Sequence, residues 1–364
     1  MFDPVDGIRP HLRAMAAYEP IAPFEVVSER LGRPPEEILK LDGNENPYGP
    51  LPAVREALGN LPYLHIYPDP ESTILREALA EHTGVPVENL LAGAGSDELI
   101  DLLMRLMLEP GDHILVCPPT FAMYAFDAGL NAAAVLEVPR NSDFALDLPG
   151  IERAVREHSP KLVFIASPNN PDGSLLPPET LHALLDMPVV VVLDEAYVEF
   201  APSGTSRLSE VAGRGNLVVL RTFSKWAGLA GLRVGYGAFP TGLMTHLQKV
   251  KQPYNLSVAG TAAALVCLQN IEELETIGRK IVAERERMYT ALQEISYLSP
   301  YPSQSNFILS RVVGREAKEV KAALARQGIL VRYFDTPELQ DHLRITVGRP
   351  DQTEILLAAL SELE

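Results

Sequence analysis

Between about residue 90 and residue 238 the chain is built of short, almost unbroken apolar runs, each followed by a polar turn and a segment long enough for a helix. The runs are Leu90–Ala92, Ile114–Cys117, Ala133–Glu137, Leu162–Ala166, Val189–Leu193, Leu217–Arg221 and Val234–Ala238. Strands this apolar are covered on both faces, and their alternation with helical segments predicts an α/β fold with a mostly parallel seven-stranded sheet between helices. After Val250 the period becomes helical, with a long amphipathic stretch near Ile271–Glu294. A smaller α/β unit follows, with strands expected near Asn306–Ser310, Ile329–Arg332 and His342–Thr346 and a helix near Lys318–Gln327. The first forty residues are rich in proline and hold one clear amphipathic piece, Phe24–Leu31. The expected organisation is an N-terminal arm over residues 1–40 packing with the small domain, a large domain over 41–265 and a small C-terminal domain over 266–364.

Length supports that division, because 364 residues exceed the size at which a single core stops growing. A formal net charge of −17 argues against nucleic acid and anionic membranes as partners, so an anionic substrate needs arginines placed locally. No apolar run is long enough to cross a bilayer, and the start Met1-Phe2-Asp3-Pro4 lacks the basic and apolar regions of a signal peptide. With Cys117 and Cys267 as the only cysteines, no disulfide framework is expected and the cytoplasm is the natural compartment. The eight histidines are scattered without ligand spacing, which argues against a metal enzyme.

In open parallel sheets ligands bind beyond the carboxyl ends of the strands, so the residues following each run carry the functional signal. Gly93-Ala94-Gly95-Ser96-Asp97-Glu98 follows the first run and opens a helical segment. Small residues and free helix-start N–H groups at Gly95, Ser96 and Asp97 suit a phosphate, although a capped strand-to-helix turn reads the same way. The segment lacks the full dinucleotide fingerprint, which weakens a nicotinamide-dependent dehydrogenase. Phe121 is placed to cover a planar ring or to join the core, and the rigid turn Ser167-Pro168-Asn169-Asn170-Pro171-Asp172-Gly173 to aim Asn170 inward. Asp194 emerges from a wholly apolar strand, which is costly unless a cation, a strong donor or a helix start meets it; Tyr197 follows three residues later. Finally, Lys225 follows Leu217–Leu220 in the run Thr222-Phe223-Ser224-Lys225, with Arg233 eight residues on. A lysine there, flanked by hydroxyls and desolvated beside a bound anion, suits a Schiff base with pyridoxal 5′-phosphate; alone, it is equally a surface lysine on a turn.

The order and loop positions of these groups resemble the aspartate-aminotransferase superfamily, the fold type I pyridoxal-phosphate enzymes, over essentially the whole chain. Within it the chain is most similar to histidinol-phosphate aminotransferases, through Leu41-Asp42-Gly43-Asn44-Glu45-Asn46-Pro47, Tyr67-Pro68-Asp69, Ser167-Pro168-Asn169-Asn170-Pro171 and Leu343-Arg344-Ile345-Thr346-Val347-Gly348. The resemblance implies a homodimer in which Lys225 carries the cofactor, Asp194 pairs with its ring nitrogen, and Asn170 and Tyr197 bond its ring oxygen. It assigns the cofactor phosphate to Gly95, Ser96, Asp97, Thr222, Ser224 and Arg233, with Tyr67 reaching it from the other subunit, and gives Phe121 the stacking role. It further assigns the substrate α-carboxylate to Arg344, the substrate phosphate to Arg332 and Tyr18, and the cavity wall to Asn46 and Tyr254. Two departures stand out: Phe121 where tyrosine is frequent, and Asp172 where threonine is usual, the latter expected to add negative charge near the site mouth. The implied reaction is amino transfer between L-histidinol phosphate and 2-oxoglutarate, giving imidazole-acetol phosphate and L-glutamate in histidine biosynthesis. An aromatic amino-acid aminotransferase, a phospho-amino-acid decarboxylase and a non-catalytic binding module for the cofactor are the alternatives.

Overall fold

The computed structural model describes residues 3–17 and 23–363. Twelve strands occur among them: β1 (Leu39–Leu41), β2 (Leu90–Gly93), β3 (His113–Val116), β4 (Ala134–Glu137), β5 (Leu162–Ala166), β6 (Val190–Asp194), β7 (Leu217–Thr222), β8 (Gly235–Ala238), β9 (Leu298–Pro300), β10 (Phe307–Val312), β11 (Ile329–Tyr333) and β12 (His342–Thr346). Seven form one sheet in the order β2-β8-β7-β6-β5-β3-β4, in which β8 alone runs antiparallel to its neighbours. The expected mostly parallel seven-stranded sheet is therefore present. Its strands read as unbroken apolar runs because successive residues serve opposite faces. Val191 and Leu193 join one core with Val163, Ile165, Leu217 and Val219, while Val192 joins a second core with Leu162, Phe164, Val218 and Leu220.

The helix Ser96–Met107 shows how the covering layer is specified. Leu99, Ile100, Leu102, Leu103 and Met104 are buried against the sheet, each stabilising it by roughly 1.5–3 kcal/mol. Asp97 and Glu98 sit in its first turn and Arg105 in its last, matching the helix dipole.

The other five strands form a second sheet, β1-β11-β12-β10-β9. Residues Leu39–Leu41 pair in parallel with Ile329–Val331, so the expected boundary at residue 41 falls on a strand of the small sheet. The amphipathic helix Phe24–Leu31 has the expected bounds and lies in the same stretch, but the helix Pro10–Ala14 packs instead on Met123–Leu130 of the large layer. The arm thus touches both units. At the other end, the helix Val258–Gln269 packs on the large-layer helices Pro52–Gly59 and Thr73–Thr83, and Asn270 separates it from Ile271–Gln293, which packs on β9 and on Pro350–Ser361. No helix of the described residues is long and apolar enough to cross a membrane.

Candidate active site

Five polypeptide turns meet where β2, β3, β5, β6 and β7 end. They line one cavity with Ser96, Asp97, Phe121, Tyr124, Ala166, Asn170, Asp194, Ala196, Tyr197, Thr222, Ser224, Lys225, Ala230 and Arg233. The topology explains the convergence, since β5, β6 and β7 are parallel neighbours and deliver their last residues to one edge.

At one end of the cavity lies a cup suited to an anion. Gly95, at φ 85°, caps the helix Ser96–Met107, and a Cβ there would stand 2.5 Å from Arg233 Nη2. Arg233 is itself held in the left-handed region at φ 51°, a strain of about 1–3 kcal/mol that aims its guanidinium at the helix start. Arg233 Nη2 donates to Asp97 Oδ2 at 2.9 Å. Thr222 Oγ1 donates to Ser224 Oγ at 2.9 Å and accepts from Ser224 N–H at 3.0 Å, which sets both hydroxyls on the same side. Helix-start N–H groups, a guanidinium and two hydroxyls around one point are the donor set of a phosphate.

At the opposite end Asp194 closes β6, fully buried in its surroundings. Tyr124 O–H donates to its Oδ2 at 2.8 Å and Ala196 N–H to its Oδ1 at 3.0 Å. Burial pushes the Asp194 carboxyl up to about 6 in spite of these two bonds, with the negative charges of Asp97 and Glu195 acting in the same direction. Both of its donors are neutral, so a cation brought by a ligand completes the site. Between cup and acid, Lys225 Nζ lies 3.3 Å from the Gly43 carbonyl and 5.8 Å from the centre of the Tyr197 ring. Tyr197 Oη accepts from Asn44 Nδ2 at 3.0 Å, which leaves its own proton for another acceptor.

Arg344 approaches from the small sheet. Its Nη1 donates to Asn170 Oδ1 at 2.6 Å and its Nη2 to the Asp42 carbonyl at 2.7 Å, while its Nε is buried without a partner among the described residues. Burial lowers the guanidinium to about 10, and neighbouring Arg332 adds to that effect. A buried cation with neutral partners is an anion site in waiting. Arg332 pairs with Arg344 across β11 and β12, and both stand over the ring of Phe334.

Of the remaining residues expected from the sequence, Tyr67 and Tyr254 stack on each other at 4.7 Å between ring centres, outside the cavity. Asn46 is buried with both ends of its amide engaged, donating to the Trp226 carbonyl at 2.8 Å and accepting from Tyr48 N–H at 2.9 Å. It does not line the cavity. Tyr18 lies outside the described residues. The expectation for Asp172 is corrected: it is buried, accepts from Ser174 N–H at 2.9 Å and from Asn169 Nδ2, and so serves its own turn instead of charging the mouth. Two residues were not anticipated, Tyr124 and Asn44. Asn44 carried a signal, the Asp42–Pro47 motif; Tyr124 looked like one more core aromatic.

Comparison with known proteins places this geometry. The family model described as "Aminotransferase class I and II" matches residues 36–360. The chain is 54% identical over 357 residues to histidinol-phosphate aminotransferase 1, chloroplastic, of Arabidopsis thaliana, covering 98% of this chain and 85% of that protein. It is 50% identical to the histidinol-phosphate aminotransferase of Roseiflexus castenholzii, covering 98% of each. Among solved structures it is similar to histidinol-phosphate aminotransferase from Sinorhizobium meliloti in complex with pyridoxal-5′-phosphate, with a TM-score of 0.89, 29% identity and coverage of 98% and 97%.

Proposed function

Because the chain belongs to the class I and II aminotransferase family, we propose that it exchanges an amino group between L-histidinol phosphate and 2-oxoglutarate. The products are imidazole-acetol phosphate and L-glutamate, a step in histidine biosynthesis, and pyridoxal 5′-phosphate is held on Lys225. The observation that carries this reading is the single cavity joining a lysine, a buried acid without a cationic partner and an anion cup, with Arg344 waiting at its side.

The residues present fit the cofactor. Gly95, Ser96, Asp97, Thr222, Ser224 and Arg233 hold the phosphate, and a side chain at Gly95, with φ at 85°, would be strained and would push the Arg233 guanidinium aside. Asp194 faces the ring nitrogen, Phe121 covers the ring, and Tyr197 Oη with Asn170 Nδ2 donates to the ring oxygen. When bound, the cofactor supplies an electron-withdrawing ring that makes the Cα proton of an attached amino acid removable. Lys225 Nζ, once released, is the base placed to take that proton. Arg344 takes the α-carboxylate of glutamate in a two-pronged bond that lysine cannot make, and its cross-strand neighbour Arg332 meets the phosphate of histidinol phosphate together with Tyr18. Tyr254, stacked on Tyr67 outside its own chain's cavity, would join the partner's site with it, and Asn46 supports the cavity from behind through Trp226.

The working unit is a homodimer. Tyr63, Leu64, Ile66, Tyr67 and Ile74 are 62%, 69%, 53%, 79% and 66% exposed, an apolar surface of one loop and the helix start after it that a second copy covers. In this arrangement Tyr67 reaches the partner's phosphate cup.

The test is the absorption spectrum of the purified protein, titrated in parallel with histidinol phosphate and phenylalanine. The yellow band of cofactor on Lys225 is expected to bleach at far lower histidinol phosphate, and Arg332→Ala to remove that preference while sparing phenylalanine. Equal bleaching by phenylalanine in the parent protein would instead establish an aromatic amino-acid aminotransferase.

A further inference from the structure

Tyr124 lies in the first turns of the helix Met123–Leu130 and is fully buried. Its ring stacks on Phe164 at 4.9 Å between centres and meets Phe121 edge-on at 5.5 Å, so the side chain has one place to be. The hydroxyl donates to Asp194 Oδ2 at 2.8 Å and borders the cavity that holds Lys225. Phe121, three residues earlier, lines the same cavity. One short segment therefore furnishes both the cover for the cofactor ring and a hydrogen bond to the acid beneath its nitrogen.

That hydroxyl has a chemical consequence. A donor to a carboxylate stabilises the charged form and makes the carboxylate a weaker base. Asp194 and the pyridine nitrogen share a single proton between two basic atoms. Weakening Asp194 leaves that proton on the ring, where it is needed to draw electrons from the substrate. The other ionisable groups facing the Asp194–Tyr124 pair are Asp97, Glu195 and Tyr197. The first two are negative and strengthen the acid's hold on a proton; Tyr197 has its own bond from Asn44. Among the described residues, the hydrogen bonds to the Asp194 carboxylate that oppose them come from Tyr124 and the Ala196 N–H. We propose that Tyr124 is a positioning residue that, through its hydrogen bond to Asp194, keeps the shared proton on the ring nitrogen of the bound cofactor. The inference rests on the proposed pyridoxal-phosphate function.

Tyr124→Phe preserves the ring stack and removes the donor. In the cofactor-free protein, carbon-13 resonances of labelled aspartate, assigned through Asp194→Asn, are expected to show Asp194 titrating at higher pH. In the loaded protein, the pH at which the absorption band of cofactor on Lys225 titrates is expected to rise. The kcat with histidinol phosphate should fall about ten- to a hundredfold, the kinetic equivalent of one hydrogen bond to a charged acceptor, with KM within about twofold. Replacing Tyr124 by 3-fluorotyrosine, a stronger donor of nearly the same size, should move both titrations the other way, and it carries the test if Tyr124→Phe does not fold. Unmoved titrations in these variants, beside a wild-type protein that binds cofactor and turns over, would overturn the role of Tyr124 alone. A wild-type protein with no yellow band would overturn the cofactor reading and this proposal with it.

Discussion

The residues most legible in the sequence are those whose chemistry contradicts their setting. Asp194 at the end of an apolar strand and Lys225 after another were visible for that reason, and the structure brings both to one cavity. Tyr124 was hidden because a buried aromatic between apolar neighbours is the ordinary state of a core; only its 2.8 Å bond to Asp194 sets it apart. Asp172 misled for the opposite reason. A charged residue in that turn is expected to add charge near the site mouth, whereas its carboxylate satisfies the turn's own N–H and amide groups. Arg344 yields a prediction at this scale. Its planar fork already spans Asn170 Oδ1 and the Asp42 carbonyl, two acceptors on different segments. Arg344→Lys keeps the charge but loses the fork, and steady-state kinetics should show kcat/KM for glutamate reduced about a hundredfold or more.

At the scale of elements, hydrophobic period located the seven large-sheet strands to within a residue or two, because all but the edge strand β4 are buried on both faces and leave a dense apolar trace. The two strands not foreseen, β1 and β9, are only three residues long and gain their identity from partners hundreds of residues or a turn away. No local pattern encodes such pairing. The antiparallel strand β8 matters more than its length suggests, since it backs directly onto the phosphate cup. A Cβ on Gly235 would lie 2.5 Å from Ser96 N and 2.6 Å from the Gly95 carbonyl carbon, both of them backbone. Gly235→Ala must therefore displace the start of the helix Ser96–Met107, at a cost of about 1–3 kcal/mol. Equilibrium binding should show cofactor affinity weakened about tenfold, while the far-ultraviolet circular dichroism stays that of the parent protein.

At the scale of the whole molecule, two properties depend on parts far apart in sequence. The first is the assembly. If Tyr67 serves the partner's cup, chains carrying Tyr67→Ala and chains carrying Lys225→Ala, each weak or inactive alone, should regain activity on mixing, because one site in each hybrid dimer holds neither change. Mixing without recovery would place Tyr67 in its own chain's site. The second is pH. Glu199, 3.6 Å from Arg221 yet with neither carboxyl oxygen hydrogen-bonded among the described residues, is pushed up to about 7 by burial. A carboxyl that holds its proton more tightly when folded loses stability as pH rises from its ordinary 4.5 through 7. Thermal melts of Glu199→Gln and the parent should consequently diverge in the variant's favour across that interval and run parallel above it. The join between the two sheets has a further consequence. Arg344 and Lys225 rest on consecutive carbonyls, those of Asp42 and Gly43, so the group proposed to read the substrate's charge and the group proposed to react with it are moored to successive peptide links.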